Sequence, residues 1–497
     1  MEEMNVQDYI QRVFSFWKKK GAAPPQNETV VEEFSALALE AFEFQREHCR
    51  VYREYLDLIG KGDFHPVSIE DIPFLPIRLF KSTKIYSEPG IIYDEDYERK
   101  LKELLKKVDE GEWVEEPGCV RECSIYFESS ATTGMTPSRH IIVDPSVYEQ
   151  SFKEGFRRVY GESGTYNLMA LLPSYLERKH SSLVYMAEGL MQDAKQNGAT
   201  GDFFLYDHER LLQTIESLLF ENSQKVKGLE KDLCSEERAA ENFSTGRTES
   251  GNQRDAGNRP KKDVMKKGRR KTILLGVSFA LLDFAEYVKR QVPDPDERAA
   301  LFSDVIVIET GGMKGRGEEL SREELHRRLR DGFISARIDS EYGMCELLSQ
   351  AYSIGNGPGN SLKKSAQKAS GTDQKELRDL NRLQRTSGDN GKKVPEIYAL
   401  QDVKKEDGVF FTPPWMRVLA RDLMDPFRVK GVVEGGLNII DLANIWSCCF
   451  IETEDRGRIF PVCEEAGCRA KKSVHPVFTV DGRIQNSELR GCNMLLQ

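Results

Sequence analysis

The length and charge balance of the chain exclude several classes of protein. Its 497 residues exceed what one hydrophobic core usually serves, so two or three domains are expected. The formal net charge of -10 argues against general binding to nucleic acid, and no run of about twenty apolar residues predicts a membrane span.

The N-terminus and the cysteines predict a cytoplasmic protein. Met1-Glu2-Glu3-Met4 is acidic, whereas a signal peptide begins with a basic and then an apolar stretch. The ten cysteines are scattered and are expected to be thiols. Cys463, Cys468 and His475 could belong to a zinc site or be ordinary residues, because their spacing is loose and no fourth ligand is evident.

Residues 1–120 are predicted to be a mainly helical part. Val6, Ile10, Val13, Phe14 and Trp17 repeat at helical spacing, and a second long helix is expected from 28 to 59 after the breaker Pro24-Pro25. The prolines of the segment 72–77 then predict an extended connector.

A loop rich in hydroxyl residues follows, between strands predicted at 123–127 and 140–143. Small residues let backbone N–H groups converge, and hydroxyls add donors, so the loop suits phosphate oxygens. It could also be a simple turn, and it is not a Walker loop because no Gly-Lys-Ser/Thr follows. The candidate phosphate ligands are Ser129, Ser130, Thr132, Thr133 and Gly134.

Strands and helices alternate through 121–352, which predicts parallel α/β layers with ligands at the carboxyl ends of the strands. Two polar segments, 223–270 and 353–405, are interpreted as insertions. The basic run at the end of the first could contact nucleic acid or acidic lipid, or be a solvated charge run. Glycine turns and short apolar runs in 406–497 predict a smaller antiparallel unit. The predicted strands are 168–172, 273–275 and 305–308, and the helices are 147–160, 181–191, 279–288 and 321–329.

Six stretches, in one order, resemble the adenylate-forming superfamily and, within it, the LuxE-type acyl-protein synthetases. The central loop resembles the Ser-Thr-Gly nucleotide loop, and 340–346 resembles the Tyr-Gly-x-Thr-Glu motif. The segments 172–178 and 310–316 are similar to LuxE-type signatures, 453–455 to the ribose-binding site, and 482–483 with 490–492 to the hinge and the terminal acyl-accepting cysteine.

The resemblance implies an α/β fold like the large N-terminal domain of these enzymes, without the full C-terminal lid domain. It implies ATP and Mg²⁺ as cofactors, with Glu346 as the metal ligand. It also assigns the other residues: Thr310, Gly311 and Gly312 near adenine, Tyr342 and Gly343 in the nucleotide site, Asp455 on the ribose, Tyr175 and His180 on the acyl side, and Arg483 and Cys492 in catalysis.

Each of these residues also has an ordinary structural interpretation. Residues 453–457 could form a hairpin turn and 310–312 a strand-end turn, while Glu346 could be an exposed turn carboxylate. Tyr175 and His180 could be packed core residues. A lone C-terminal cysteine such as Cys492 is usually inert. Three departures from the family pattern, Ala131, Cys345 and Gln485, bear on catalytic rate.

The resemblance implies one enzymatic function, to which two alternatives are kept. The enzyme would convert a long-chain fatty acid to acyl-AMP and transfer the acyl group to its own Cys492 thiol, for delivery to a reductase or another acceptor protein. The first alternative is an acyl- or aryl-CoA ligase of the same superfamily. The second is a nucleotide-binding module without ligase activity.

Overall fold

The computed structural model describes ten segments of the chain, and every structural statement below concerns them. They are residues 4–18, 27–90, 95–110, 125–129, 136–173, 180–225, 269–311, 320–355, 408–460 and 477–484. The predicted zinc group, most of the basic run and most of the two predicted insertions lie outside them. Within the described segments, no helix is both long and apolar enough to cross a membrane.

Ten helices and fifteen strands make up the described part. The helices are α1 Val6–Val13, α2 Asn27–His48, α3 Arg50–Leu58, α4 Glu95–Glu110, α5 Pro145–Tyr160, α6 Ser182–Gln196, α7 208–225, α8 Ser278–Gln291, α9 Pro295–Leu301 and α10 Arg322–Gly332. The strands are β1 Leu75–Pro76, β2 Ile125–Glu128, β3 Arg139–Ile142, β4 Asn167–Leu171, β5 Gly201–Phe203, β6 Thr272–Gly276, β7 Val305–Glu309, β8 Arg337–Tyr342, β9 Ala351–Ser353, β10 Phe410–Phe411, β11 Met416–Arg421, β12 Glu434–Asp441, β13 Phe450–Phe460, β14 Val477–Phe478 and β15 Gly482–Arg483.

The predicted helix at 28–59 is wrong in one respect, because it is two helices. Cys49 has extended backbone angles (φ -96°, ψ 98°) and ends α2 before α3 begins. Gln45, one turn earlier, is fully buried and its amide donates to the backbone carbonyls of Asn444 and Ile445. These tertiary contacts fix the end of α2 on the C-terminal part of the chain, which no local pattern could predict.

A parallel α/β core is confirmed. Strands β5, β4, β6, β7 and β8 are neighbours in that order and all pair in parallel. Successive side chains of a strand point to opposite faces. One face packs with α5 and α6, and the other packs with α7, α8 and α10. Covering both faces explains why β4, β6 and β7 are fully buried apolar strands.

The same sheet continues as antiparallel strands. From β8 it passes through β9, β10, β14, β13 and β12 to β11, and β1 and β15 also pair with β13, which gives thirteen strands in the described part. The antiparallel character predicted for 406–497 is therefore present in β11, β12 and β13. Residues 453–457 lie inside the eleven-residue strand β13, so the alternative of a hairpin turn there is wrong.

The hydroxyl-rich loop connects two antiparallel strands, as predicted, although both are shifted by one or two residues. Strand β2 pairs with β3 in a separate two-stranded sheet. At the base of the loop, the Ser138 N–H donates to Ser129 Oγ over 2.8 Å, and the Ser129 N–H donates to the Ser138 carbonyl over 3.0 Å. These two bonds hold the ends of the loop together.

Candidate functional site

A cleft opens at the carboxyl ends of the parallel strands and extends to β13 and β15. Its polar side brings together residues that are distant in sequence. Its apolar side is formed by strand ends and by α6. The polar lining residues include Ser129, Thr310, Glu341, Glu346, Gln350, Asp455 and Arg483, and the apolar ones include Leu171, Leu172, Leu183, Val184 and Met186.

Ser129 brings the hydroxyl-rich loop to the cleft. Its neighbour Glu128 also lines the cleft and pairs with Arg139 over 2.9 Å across the hairpin. Ser130, Thr132, Thr133 and Gly134, the other predicted phosphate ligands, lie outside the described residues.

The turn after β7 places Thr310 in the cleft wall. The Thr310 N–H donates to the Gly276 carbonyl over 3.1 Å, which extends the pairing of β6 and β7 by one residue. Gly311 has a φ of +74°, a conformation that glycine adopts without steric cost. The Gly311 N–H donates to Glu309 Oε2 over 2.8 Å, so this turn is held by a buried carboxylate. Gly312 lies outside the described residues.

Tyr342, Asp455 and Arg483 form a network on the far side of the cleft. The Tyr342 hydroxyl donates to Asp455 Oδ2 over 2.8 Å, and Arg483 Nε lies 3.7 Å from Asp455 Oδ1. Asp455 and Arg483 face each other across β13 and β15, so the strand register fixes this pair. Burial and the Asp455 charge raise the pKa of Tyr342, which keeps its hydroxyl protonated as a donor.

Glu346 lines the same cleft from the segment after β8. Its side chain is buried, so the alternative of an exposed turn carboxylate is wrong. The segment is fastened by Asn444, whose amide donates to the Glu346 carbonyl over 3.0 Å. His140 Nδ1 lies 2.7 Å from the Cys345 carbonyl and Nε2 lies 3.0 Å from Asn444 Oδ1, and a neutral ring donates to one of these two acceptors. Burial lowers the pKa of His140 to about 4, so the ring that links β3 to this segment is neutral.

His180, which was predicted on the acyl side, lies beside the hairpin and is not among the lining residues of the cleft. Its ring stacks on Tyr126 with centroids 4.0 Å apart, and its carbonyl accepts from the Glu128 N–H over 2.8 Å. Tyr175 and Cys492, the other two candidates for the acyl side and acyl transfer, lie outside the described residues.

Two cleft residues were missed by the sequence analysis, Glu341 and Gln350. Glu341 immediately precedes Tyr342 in the motif 340–346, but its burial depends on α5 and β9, which are far away in sequence. Burial, and then the nearby Glu309 charge, raise the pKa of Glu341 to about 8. A carboxyl group with this pKa is mostly protonated at neutral pH and can donate a hydrogen bond.

The described carboxylates suit Mg²⁺ only in combination with a phosphate ligand. No group of three or more His, Cys, Asp or Glu side chains among the described residues could hold a metal ion. Mg²⁺ usually keeps one or two protein carboxylates and takes its other oxygens from phosphate and water. Glu346, a single buried carboxylate on the cleft wall, fits that type of site.

Comparison with known proteins gives matches among solved structures alone. No protein-family model matches the chain, and no curated protein matches it. The ATP-bound RpMatB-BxBclM chimera B3 is similar at 12% identity and a TM-score of 0.35, over 74% of this chain and 49% of that chain. ATP-bound MatB from Rhodopseudomonas palustris is similar at 12% identity and a TM-score of 0.34, with the same coverage. The chain thus spans about half the length of the solved chains that it matches.

Proposed function

We propose that this chain is an adenylate-forming enzyme, which activates a carboxylic acid with ATP. The observation that carries the proposal is the cleft in which Ser129, Glu346 and Asp455 meet. These residues come from three distant parts of the chain, and the family resemblance assigns each of them to a different part of Mg-ATP. Thr310 and Arg483 line the same cleft.

In the proposed reaction, a carboxylate oxygen of the acid forms a bond to the α-phosphorus of ATP. The bond between that phosphorus and the oxygen bridging to the β-phosphorus breaks, and pyrophosphate leaves with the electron pair. The reaction needs donors that hold the phosphates in line and neutralise their charge. Ser129 and the loop that it begins would supply hydroxyl and N–H donors, and Glu346 would hold Mg²⁺, which neutralises phosphate charge when bound.

The network around Asp455 suits a sugar with two hydroxyl groups. Asp455 is buried. A carboxylate accepts hydrogen bonds at both of its oxygens, as acidic residues do from the ribose in other nucleotide sites. Tyr342 and Arg483 hold the carboxylate from two sides and so fix its orientation. The adenine would lie near the turn at Thr310.

The apolar side of the cleft suits the hydrocarbon part of an acid. Leu171, Leu172, Val184 and Met186 contribute side chains that a long acyl chain would contact. For the second half of the reaction we propose that the Cys492 thiolate attacks the acyl carbon, forming a thioester and releasing AMP. The acyl group would then pass to a reductase or another acceptor protein.

Pyrophosphate exchange tests the first half of the reaction. With Mg²⁺, ATP and a panel of carboxylic acids, the wild-type chain should incorporate labelled pyrophosphate into ATP in the presence of at least one acid. Glu346→Gln should lower the exchange rate by about 100-fold, because it removes the carboxylate that would hold Mg²⁺ at the phosphates. Glu434→Gln is the matched control, since Glu434 is exposed on β12 and pairs with Arg456 and Arg458.

Three results would contradict parts of this proposal. ATP binding without exchange for any acid would favour a nucleotide-binding module. Release of AMP that depends on added coenzyme A would favour an acyl- or aryl-CoA ligase. With labelled fatty acid, a hydroxylamine-sensitive label should form on the Cys492 peptide. Cys492→Ser should lack this label but keep pyrophosphate exchange. A label on another residue would contradict the proposed role of Cys492.

A further inference from the structure

Glu341 presents a buried carboxyl group to the cleft with no hydrogen bond to it from the described residues. It lies on β8, is 8% exposed and lines the cleft wall. The groups that face it are Tyr148 of α5, Tyr352 of β9 and Glu309 of β7. The Tyr148 hydroxyl donates to the Ser182 carbonyl over 3.0 Å, so it is already engaged. A polar group buried in this way costs free energy unless a partner satisfies it.

Gln350 provides a second and independent observation at the same place. Its side chain lines the cleft, is 7% exposed, and its Oε1 atom has no hydrogen-bond partner among the described residues. Gln350 and Glu341 adjoin each other at Gly343. A Cβ atom placed on that glycine would overlap Glu341 Oε1 and would lie 3.5 Å from Gln350 Cγ.

The two side chains have complementary hydrogen-bonding character. Glu341 carries a proton at neutral pH because burial raises its pKa to about 8, so it can donate. Gln350 Oε1 can accept. A ligand group that satisfies both must be neutral, must accept one hydrogen bond and must donate another. A hydroxyl group is the smallest that does so, whereas a plain alkyl chain leaves both buried groups unsatisfied.

We propose that Glu341 and Gln350 form a recognition site for a hydroxyl group on the acid that this cleft binds. The inference rests on the proposed function, since the ligand is the acid that would be activated there. It narrows the substrate class from fatty acids in general to hydroxylated ones. The hydrocarbon part of the acid would contact Leu171, Leu172 and Met186, and its hydroxyl would reach the pair beside Gly343.

Direct binding tests this inference without relying on catalysis. Calorimetry on the full chain would compare straight-chain fatty acids of one length, unsubstituted or hydroxylated at successive carbons. The best hydroxylated acid should bind at least about 10-fold more tightly than the unsubstituted one. Glu341→Leu and Gln350→Leu should each reduce that ratio to below about 3-fold. Glu434→Leu, on the exposed face of β12, is the matched control and should keep the wild-type ratio.

The pH dependence separates recognition by Glu341 from a change in packing. In the wild type the ratio should fall above about pH 8, because Glu341 ionises and no longer donates. Glu341→Gln keeps a donor and an acceptor at every pH, so it should retain a preference that does not change with pH. Thermal unfolding of each variant identifies any that has lost its fold.

The outcomes distinguish this inference from the function on which it rests. Equal binding of all acids by the wild type, or a ratio unchanged in both leucine variants, would overturn the hydroxyl site even if pyrophosphate exchange occurs. A hydroxyl preference that depends on Glu341 but is accompanied by no exchange with any acid would instead overturn the adenylation proposal and leave the binding site.

Discussion

Glu309 and Glu341 lie near the carboxyl ends of the neighbouring strands β7 and β8, but on opposite faces of the sheet, where their surroundings differ. On the face covered by α8 and α10, Glu309 accepts hydrogen bonds from Ser278 Oγ and the Gly311 N–H, and His326 Nε2 lies 3.6 Å away. On the cleft face, Glu341 receives no hydrogen bond from the described residues.

The pKa values of the two carboxyl groups record this difference. Burial alone would raise the pKa of Glu309, but His326, Arg322 and Ser340 hold it at about 2. Burial dominates at Glu341 and raises its pKa to about 8. The comparison teaches that Glu309 has its hydrogen-bond partners within the protein. On the other face of the sheet, a ligand can supply the partners that Glu341 lacks among the described residues.

The largest loss of stability is expected in Glu309→Gln. The variant loses a buried carboxylate that accepts hydrogen bonds from Ser278 Oγ and the Gly311 N–H, which should lower the free energy of unfolding at pH 7 by about 3 kcal/mol. Urea unfolding at pH 7 measures this change. Glu309 has a lowered pKa, so its stabilisation is present above about pH 4.5 and is lost as the pH falls towards 2. The difference in free energy of unfolding between wild type and variant should therefore disappear as the pH falls towards 2. A difference that does not change with pH would contradict the lowered pKa of Glu309.

Glu341→Gln should change the pH dependence of stability in the opposite direction. The native state holds the Glu341 proton between pH 4.5 and 8, whereas the unfolded state has released it. Wild-type stability should thus fall across this window by up to about 1.4 kcal/mol for each pH unit. The variant should lack this contribution. Urea unfolding from pH 5 to 8 gives the two curves, and parallel curves would show that Glu341 is not protonated in the native state.

The smallest expected effect is at the turn after β7, where Gly311 binds Glu309 and Thr310 lines the cleft. Gly311→Ala should cost about 1 kcal/mol, because a side chain at a φ of +74° is strained. Gly155→Ala is the matched control. It lies in α5, where an added Cβ atom meets nothing within 4 Å, so alanine should be neutral or slightly stabilising there. Equal unfolding midpoints for the two variants would count against strain at Gly311.

The alternating pattern of strands and helices could be predicted from the sequence because it depends on local periodicity. The runs at 273–275 and 305–308 are apolar on both faces, as buried parallel strands must be, and each extends by one or two residues in the structure. The helix predicted at 321–329 is also present, and the hydroxyl of its N-cap Ser321 accepts from the Glu324 N–H.

Features that depend on long-range contacts could not be predicted in this way. Strand β8 contains Glu341 and Tyr342 and is buried from Ile338 to Tyr342. Its sequence is mostly polar, so the apolar pattern that predicts a buried strand is missing. The end of α2 at Cys49 is likewise set by a partner of Gln45 that lies 399 residues away, and the strand through Asp455 is set by pairing with β15. The grouping of Ser129, Glu346 and Asp455 followed from a family resemblance, whereas Glu341 and Gln350 required the fold itself.

The pairing of β9 with β10 has a consequence for how this chain can change. Tyr352 and Phe411 are partners on adjacent antiparallel strands, so the connection between the two strands begins and ends at points only about 5 Å apart. Doubling such a connection costs only about 0.6 kcal/mol, and a hairpin of two to five residues could close the same gap. Evolution could therefore lengthen, shorten or exchange this connection as a module, and a protein engineer could graft another sequence there, without displacing any strand that borders the cleft.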